Sequence, residues 1–225
     1  MKPAPSLPVI AIMLAALAVI AAAAWIAWSQ IAGDRPVAGG PGSGVVQTSV
    51  KIGGPFELTN HRGETVTDAD FRGRFMLVFF GYGHCPDICP LELSNMVTAL
   101  DLMREKAAAV QPIFITVDPM RDTAEFLSDY VQHFHPQMVG LTGTEEQIKD
   151  IAKAYRVFYA KAPPRNPAEA ESEEDYLVDH STFVYLMGPD GNYVSMFRHK
   201  TDPAEMAKTL IQFVESNPNL SLKGS

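Results

Sequence analysis

Cysteine is nearly absent. The 225-residue chain has two, too few for a fold stapled by disulfides, so the pair is either inert or a dedicated site. Basic charge is also in deficit, with 18 Lys and Arg against 26 Asp and Glu and a formal net charge of -8. Without a cationic face to neutralise phosphates, nucleic acid is excluded as a partner. The remainder, 47% hydrophobic and 20% charged, is enough for one well-buried domain and an appendage.

Charge is missing altogether between Lys2 and Asp34, and residues 9–28 are 20 consecutive apolar positions. At ~1.5 Å per residue they span about 30 Å, the thickness of a bilayer core. The run exceeds the about 7–15 apolar residues of a cleaved leader, and it ends in Trp25 and Trp28, which suit a membrane interface. We expect a short cytoplasmic segment at 1–8, an uncleaved transmembrane anchor at 9–28 and a Gly/Pro-rich flexible linker at 29–44. A globular domain at 45–216 and a frayed tail at 217–225 follow. Lys2 on the near side and the acidic domain beyond place the domain outside the cytoplasm. The lack of an Arg-rich transit segment favours a bacterial inner membrane and periplasm over the mitochondrial intermembrane space.

Within the domain, residues 56–59 and 65–67 flank a turn at 60–63 and read as a β-hairpin, with His61 a turn residue. Residues 75–80 are an almost continuous apolar run, as in a strand buried on both faces. The cysteine stretch follows, then a helix whose apolar spacing runs from Leu91 toward Ala109. Further strands are expected at 112–117, 138–141 and 157–160. Helices are expected at 122–134, capped by Asp122 or Thr123, and after the cap Thr144. Residues 163–175 form an acidic, proline-rich loop of a length that is functional or disordered. A closing hairpin at 183–187 and 193–197, turned at Asp190-Gly191, precedes a helix starting at Pro203. The β-α-β-α-β-α order implies parallel strands with helical crossovers. Together with the cysteines placed between the first core strand and its helix, it describes an α/β thioredoxin-like fold with an added N-terminal β-hairpin.

Cys85 and Cys89 are separated by Pro86, Asp87 and Ile88. Pro90 is tolerated only in the first turn of a helix, which puts Cys89 near the helix N-terminus, where the amides and macrodipole should lower its thiol pKa. Dithiol oxidoreductases of this fold usually have two intervening residues; three leave room for an ion between the sulfurs. Of six histidines, His84 adjoins Cys85 and points away from it in extended chain. His133 and His135 lie at a helix end, and His199 looks like surface. His180 stands just before the strand at 183–187, where thioredoxin-like proteins usually carry a cis-proline against the cysteine loop. Two thiolates and one imidazole make a soft set suited to Cu(I), and to Cu(II) with an added ligand. A structural zinc site would want four protein ligands.

Three segments, Gly81-Tyr82-Gly83-His84-Cys85-Pro86-Asp87-Ile88-Cys89-Pro90, Thr116-Val117-Asp118-Pro119-Met120-Arg121-Asp122 and Asp179-His180-Ser181, resemble the signatures of the Sco/SenC copper chaperones. The resemblance spans about 45–216. It implies copper ligands Cys85, Cys89 and His180, a supporting carboxylate at Asp118, and maturation of the binuclear copper centre of cytochrome c oxidase subunit II. Another periplasmic copper chaperone or a thiol reductase would be a further partner. Family members often have Thr at position 83 and Glu at position 120. The rival reading is a membrane-anchored thiol-disulfide oxidoreductase in which Cys85 and Cys89 reduce the cysteines of the oxidase copper site. A thiol peroxidase is weaker, since no single activated cysteine with a peroxide pocket is signalled.

Overall fold

In the strand β3 (Phe75–Gly81) every residue is buried. Successive strand side chains point to opposite faces, so an apolar residue at each position requires cover on both. This computed structural model describes residues 51–163, 175–217 and 220, all within one compact unit at 48–225. The expected membrane span, the linker, most of the acidic loop and most of the tail lie outside the described residues. Among the described residues no helix is long and apolar enough to cross a membrane.

The sheet grows outward from β3. On one side lie β4 (Val110–Thr116) and then β5 (Val139–Thr142), both parallel to it. The hairpin of β1 (Glu57–Asn60) and β2 (Thr65–Thr67) extends this side, with β1 antiparallel to β5. Two further strands complete the other side. They are β8 (Val184–Met187), antiparallel to β3, and β9 (Tyr193–Phe197), its hairpin partner. The seven-stranded order is β2-β1-β5-β4-β3-β8-β9. Helix α1 (Ile88–Met103) connects β3 to β4, α2 (Ala124–Gln132) connects β4 to β5, and α3 (Glu145–Tyr155) follows β5. The closing helix α4 (Pro203–Glu215) packs against α1.

Helix starts follow local chemistry. Thr123, and not Asp122, caps α2, its hydroxyl accepting from the Phe126 amide. Thr144 and Gln147 form a reciprocal capping box on α3, satisfying amides that a helix start leaves without partners. Asp202 caps α4, with Pro203 in the first helical position.

Three expectations need correction. The helical spacing suggested continuity toward Ala109, yet α1 stops at Met103 and a 3-10 turn (Arg104–Ala109) follows, opened by Arg104 at φ 53°. That left-handed residue breaks the helical ladder despite the helix propensity of the alanines. The strand expected at 157–160 forms two residues later as β6 (Tyr159–Ala162), and its partner β7 (Leu177–His180) was not expected as a strand at all. They pair from Tyr159↔His180 to Ala162↔Leu177 in a separate two-stranded sheet.

The third correction concerns His199, expected on the surface. Glu92 of α1 is fully buried, and its Oε1 accepts from His199 Nδ1 at 2.6 Å and from the Lys200 amide at 3.0 Å. A carboxyl on the core-facing side of a helix requires donors, and the chain after β9 supplies two to Oε1, leaving Oε2 buried without one. His199→Ala should therefore cost about 2–4 kcal/mol by stranding a buried charged group. Urea unfolding measures it; a change within about 0.5 kcal/mol, the usual range for a surface position, would contradict the pairing.

Candidate metal centre

β3 ends at Gly81, and the loop from Tyr82 to Asp87 leads into α1, with Pro90 in its first turn. Cys85 lies in the loop, half-buried, and Cys89 is the second residue of the helix, fully buried. The Cys89 amide donates to Cys85 Sγ at 3.5 Å, so the helix start faces the first sulfur. A Cβ on Gly81 would lie 2.8 Å from Cys89 Sγ and 3.0 Å from the rings of Phe79 and Phe114. Only glycine lets the backbone approach the sulfur this closely.

His180 is the last residue of β7, and its Nε2 is 3.4 Å from Cys89 Sγ. The donor atoms of Cys85, Cys89 and His180 all lie within 4.8 Å of one another, the one such group of three or more Cys, His or carboxylate donors among the described residues. His180 Nδ1 is 3.0 Å from the Ser181 carbonyl oxygen. That oxygen can only accept, so Nδ1 carries the proton and Nε2 presents its lone pair to the sulfurs. Phe79 and Tyr82 hold the ring edge-on, at centroid distances of 5.9 and 6.0 Å.

The sulfurs divide one proton unequally. A hydrogen bond from the Cys89 thiol is the main cause that pulls the Cys85 pKa down to about 3; bonds from the backbone amides of Asp87 and Cys89 add to it, against the cost of burial. Cys89 moves strongly upward for the reciprocal reasons, the bond to Cys85 first and burial second. The sequence placed the acidic thiol at Cys89, near the helix end. The correction follows from depth, because the buried sulfur keeps its proton and lends it to the more exposed one.

The other histidines turn elsewhere. His84 stacks on Phe126, with centroids 4.7 Å apart and planes at 14°, and its Nδ1 is 3.3 Å from Asp122 Oδ1. His133 Nδ1 donates to the Asp129 carbonyl at 2.5 Å, and His135 accepts from the Gln137 amide at 3.1 Å. His61 is more than a turn residue, since its Nδ1 accepts from the Gly140 amide of β5 at 3.2 Å.

Asp122, one of the two cap candidates, is buried instead. It accepts from the Thr116 hydroxyl at 2.6 Å and from the Gly83 amide at 2.8 Å, and burial raises its pKa. Asp118 is also buried; its Oδ2 accepts from Arg121 Nε at 2.5 Å and its Oδ1 from the Tyr176 hydroxyl at 2.8 Å. Arg121 and Tyr176 were not singled out in the sequence. Arginine three residues after an aspartate was one signal, and a tyrosine ending an acidic loop was the other.

Comparison with known proteins agrees with this geometry. The family model described as SCO1/SenC matches residues 45–215. A mitochondrial SCO1 homolog of Mus musculus is 43% identical over 168 residues, 74% of this chain and 57% of the mouse protein. An SCO2-like protein of Rickettsia conorii is 38% identical over 177 residues, 79% of this chain and 83% of that protein. The chain thus spans little more than half of the mouse relative's length and most of the rickettsial one's. The crystal structure of Arabidopsis thaliana ScoI with copper bound is 40% identical and superposes with a TM-score of 0.67, covering 73% of this chain and 99% of the other. Signature segments, thioredoxin-like architecture and relatives therefore converge, and the chain belongs to the SCO1/SenC family.

Proposed function

We propose that the protein is a copper metallochaperone. It carries Cu(I) on Cys85, Cys89 and His180 and passes it by ligand exchange to cytochrome c oxidase subunit II. Residues 9–28 tether it to the inner membrane with the domain in the periplasm. The observation that carries this reading is the His180 Nε2 lone pair turned toward two sulfurs within 4.8 Å. Two sulfurs and one imidazole suit a soft monovalent ion, and an added ligand would accommodate Cu(II). The Arabidopsis relative solved with copper bound supports copper as the metal. Cys85, half-buried where Cys89 is fully enclosed, is the ligand at which a recipient thiolate would enter.

The rival, thiol-disulfide exchange with the oxidase cysteines, is favoured by a separate observation. The depressed Cys85 thiolate beside a Cys89 thiol that retains its proton is an attacking sulfur with a resolving partner. It leaves the orientation of His180 without a purpose, so copper carriage ranks first. A thiol reductase or a second copper chaperone would then keep the pair reduced and loaded.

One measurement separates the readings and a second tests the thiolate that both of them use. His180→Ala should weaken Cu(I) binding more than about 100-fold, since losing even a supporting partner of a metal ligand costs about 10–100-fold. Oxidase copper loading should fail in cells while Cys85 alkylation persists; loading that survives in His180→Ala and is abolished by Cys85→Ser would overturn copper carriage in favour of thiol exchange. The second is the pH profile of Cys85 in the folded, metal-free protein. With its pKa near 3, Cys85 stays a thiolate as pH falls, and its rate of alkylation by iodoacetamide should be nearly flat from about pH 8 to about pH 5. In urea the rate should drop below about pH 8.5, the ordinary thiol value. Superimposable folded and unfolded profiles would contradict the unequal sharing of the proton.

A further inference from the structure

The third donor rides on a hairpin that has no ladder to the main sheet, because β6 and β7 pair only with each other. Cys85 and Cys89 belong to a loop and helix packed on β3, whereas His180 depends on whatever holds this hairpin in place. A cluster centred on Arg121 does so. Arg121 Nε donates to Asp118, and its Nη1 donates to the Tyr176 carbonyl at 3.1 Å. The guanidinium lies 3.7 Å over the Tyr176 ring, and Lys161 Nζ of β6 is 4.3 Å from the same ring. The Tyr176 hydroxyl closes the loop by donating to Asp118. Partial burial, then that hydrogen bond, raise its pKa to about 12, so it remains a donor at working pH. Tyr176 immediately precedes β7, so the entry to that strand is held by one arginine from the segment after β4, and Lys161 of β6 meets the other strand at the same tyrosine ring. A second tie reaches the cysteine loop, where the Tyr82 ring meets His180 edge-on and lies 5.7 Å from the Arg121 guanidinium.

We propose that Asp118, Arg121 and Tyr176 form a clasp that sets His180 against the cysteine pair and thereby governs how fast bound copper leaves. The proposal rests on the copper reading above. Ligand exchange requires one bond to the metal to break before or as another forms. The donor on the separately anchored element is the one whose departure disturbs least, since the cysteines are fixed by the packing of α1. Asp118, buried between the arginine and the tyrosine, orients them and touches no donor atom itself. All three are positioning residues, acting through His180.

Arg121→Ala removes the hub, and Tyr176→Phe keeps the ring beneath the guanidinium while losing just the hydroxyl, which guards against a variant that fails to fold. Protein loaded with Cu(I) is mixed with the chelator bathocuproine disulfonate and the transfer followed by stopped flow. Iodoacetamide alkylation of Cys85 in the metal-free form serves as a readout that a merely destabilised hairpin would not leave in place. We expect release about 10-fold faster in Arg121→Ala, at the lower edge of what supporting partners of metal ligands contribute, a smaller acceleration in Tyr176→Phe, and unaltered alkylation in both. Because the clasp acts through His180, Arg121→Ala added to His180→Ala should change release by less than about twofold, the non-additivity of residues in one network. Release that is unchanged in both single variants, or that accelerates equally on the His180→Ala background, overturns the clasp while copper carriage stands. If His180→Ala itself releases copper no faster than the unaltered protein, the copper reading fails and the clasp falls with it.

Discussion

The unequal burial of two neighbouring sulfurs, Cys89 fully enclosed and Cys85 half-buried, decides the character of the whole centre. A thiol enclosed in apolar surroundings resists ionisation, and a sulfur near water at a helix start accepts charge readily. Their unequal depth settles which one is anionic, and the buried Asp122 carboxyl pushes the Cys89 thiol the same way. The rest of the site serves this arrangement. Gly81 lets the backbone pass beneath the buried sulfur, Pro90 permits the helix to start beside it, and the Ser181 carbonyl fixes the His180 tautomer so that a lone pair, and not a proton, meets the sulfurs. An incoming soft cation would displace one proton and find three donors already converged.

What could be read from the chain follows the range of the forces involved. The continuous apolar run of β3, the cap Thr144, Pro203 at a helix start and the Asp190-Gly191 turn are local signals, and the elements they announce are present. The convergence of Cys85 and Cys89 was legible from four-residue spacing, and that of His180 from its place before a core strand. β7 was missed because Leu177-Val178-Asp179-His180 has neither strict alternation nor a long apolar run; it is a strand only through pairing with β6 across a long connection. Glu92 escaped notice because a glutamate on a helix is usually solvated, and only the distant His199 and Lys200 make its burial tolerable. The pKa order of the cysteines was inverted for a related reason. Proximity to a helix end is visible in sequence, whereas depth beneath the surface is not.

The fold divides labour between a rigid part and a separately anchored one. The seven-stranded sheet with α1 and α4 fixes the sulfur pair, and the two-stranded sheet presents the imidazole. A carrier needs both hold and release, and a site built entirely on one packed core would favour hold. Here the polar contacts joining the two sheets run through partly buried tyrosines and one arginine, a set of interactions modest enough to yield when a competing ligand arrives.

Gly83 brings this organisation back to the sequence. The resemblance expects threonine there, yet a Cβ on Gly83 would overlap the Phe126 ring, the same ring on which His84 stacks. The volume that a threonine would occupy beside the cysteines is filled in this protein by an aromatic from α2. Positions 83 and 126 therefore share a single allotment of space in this protein, and a larger residue in the loop would have to displace the ring on the helix. The glycine that departs from the family pattern is what lets a ring on α2, far away in the chain, close over the cysteine loop and carry the His84 stack.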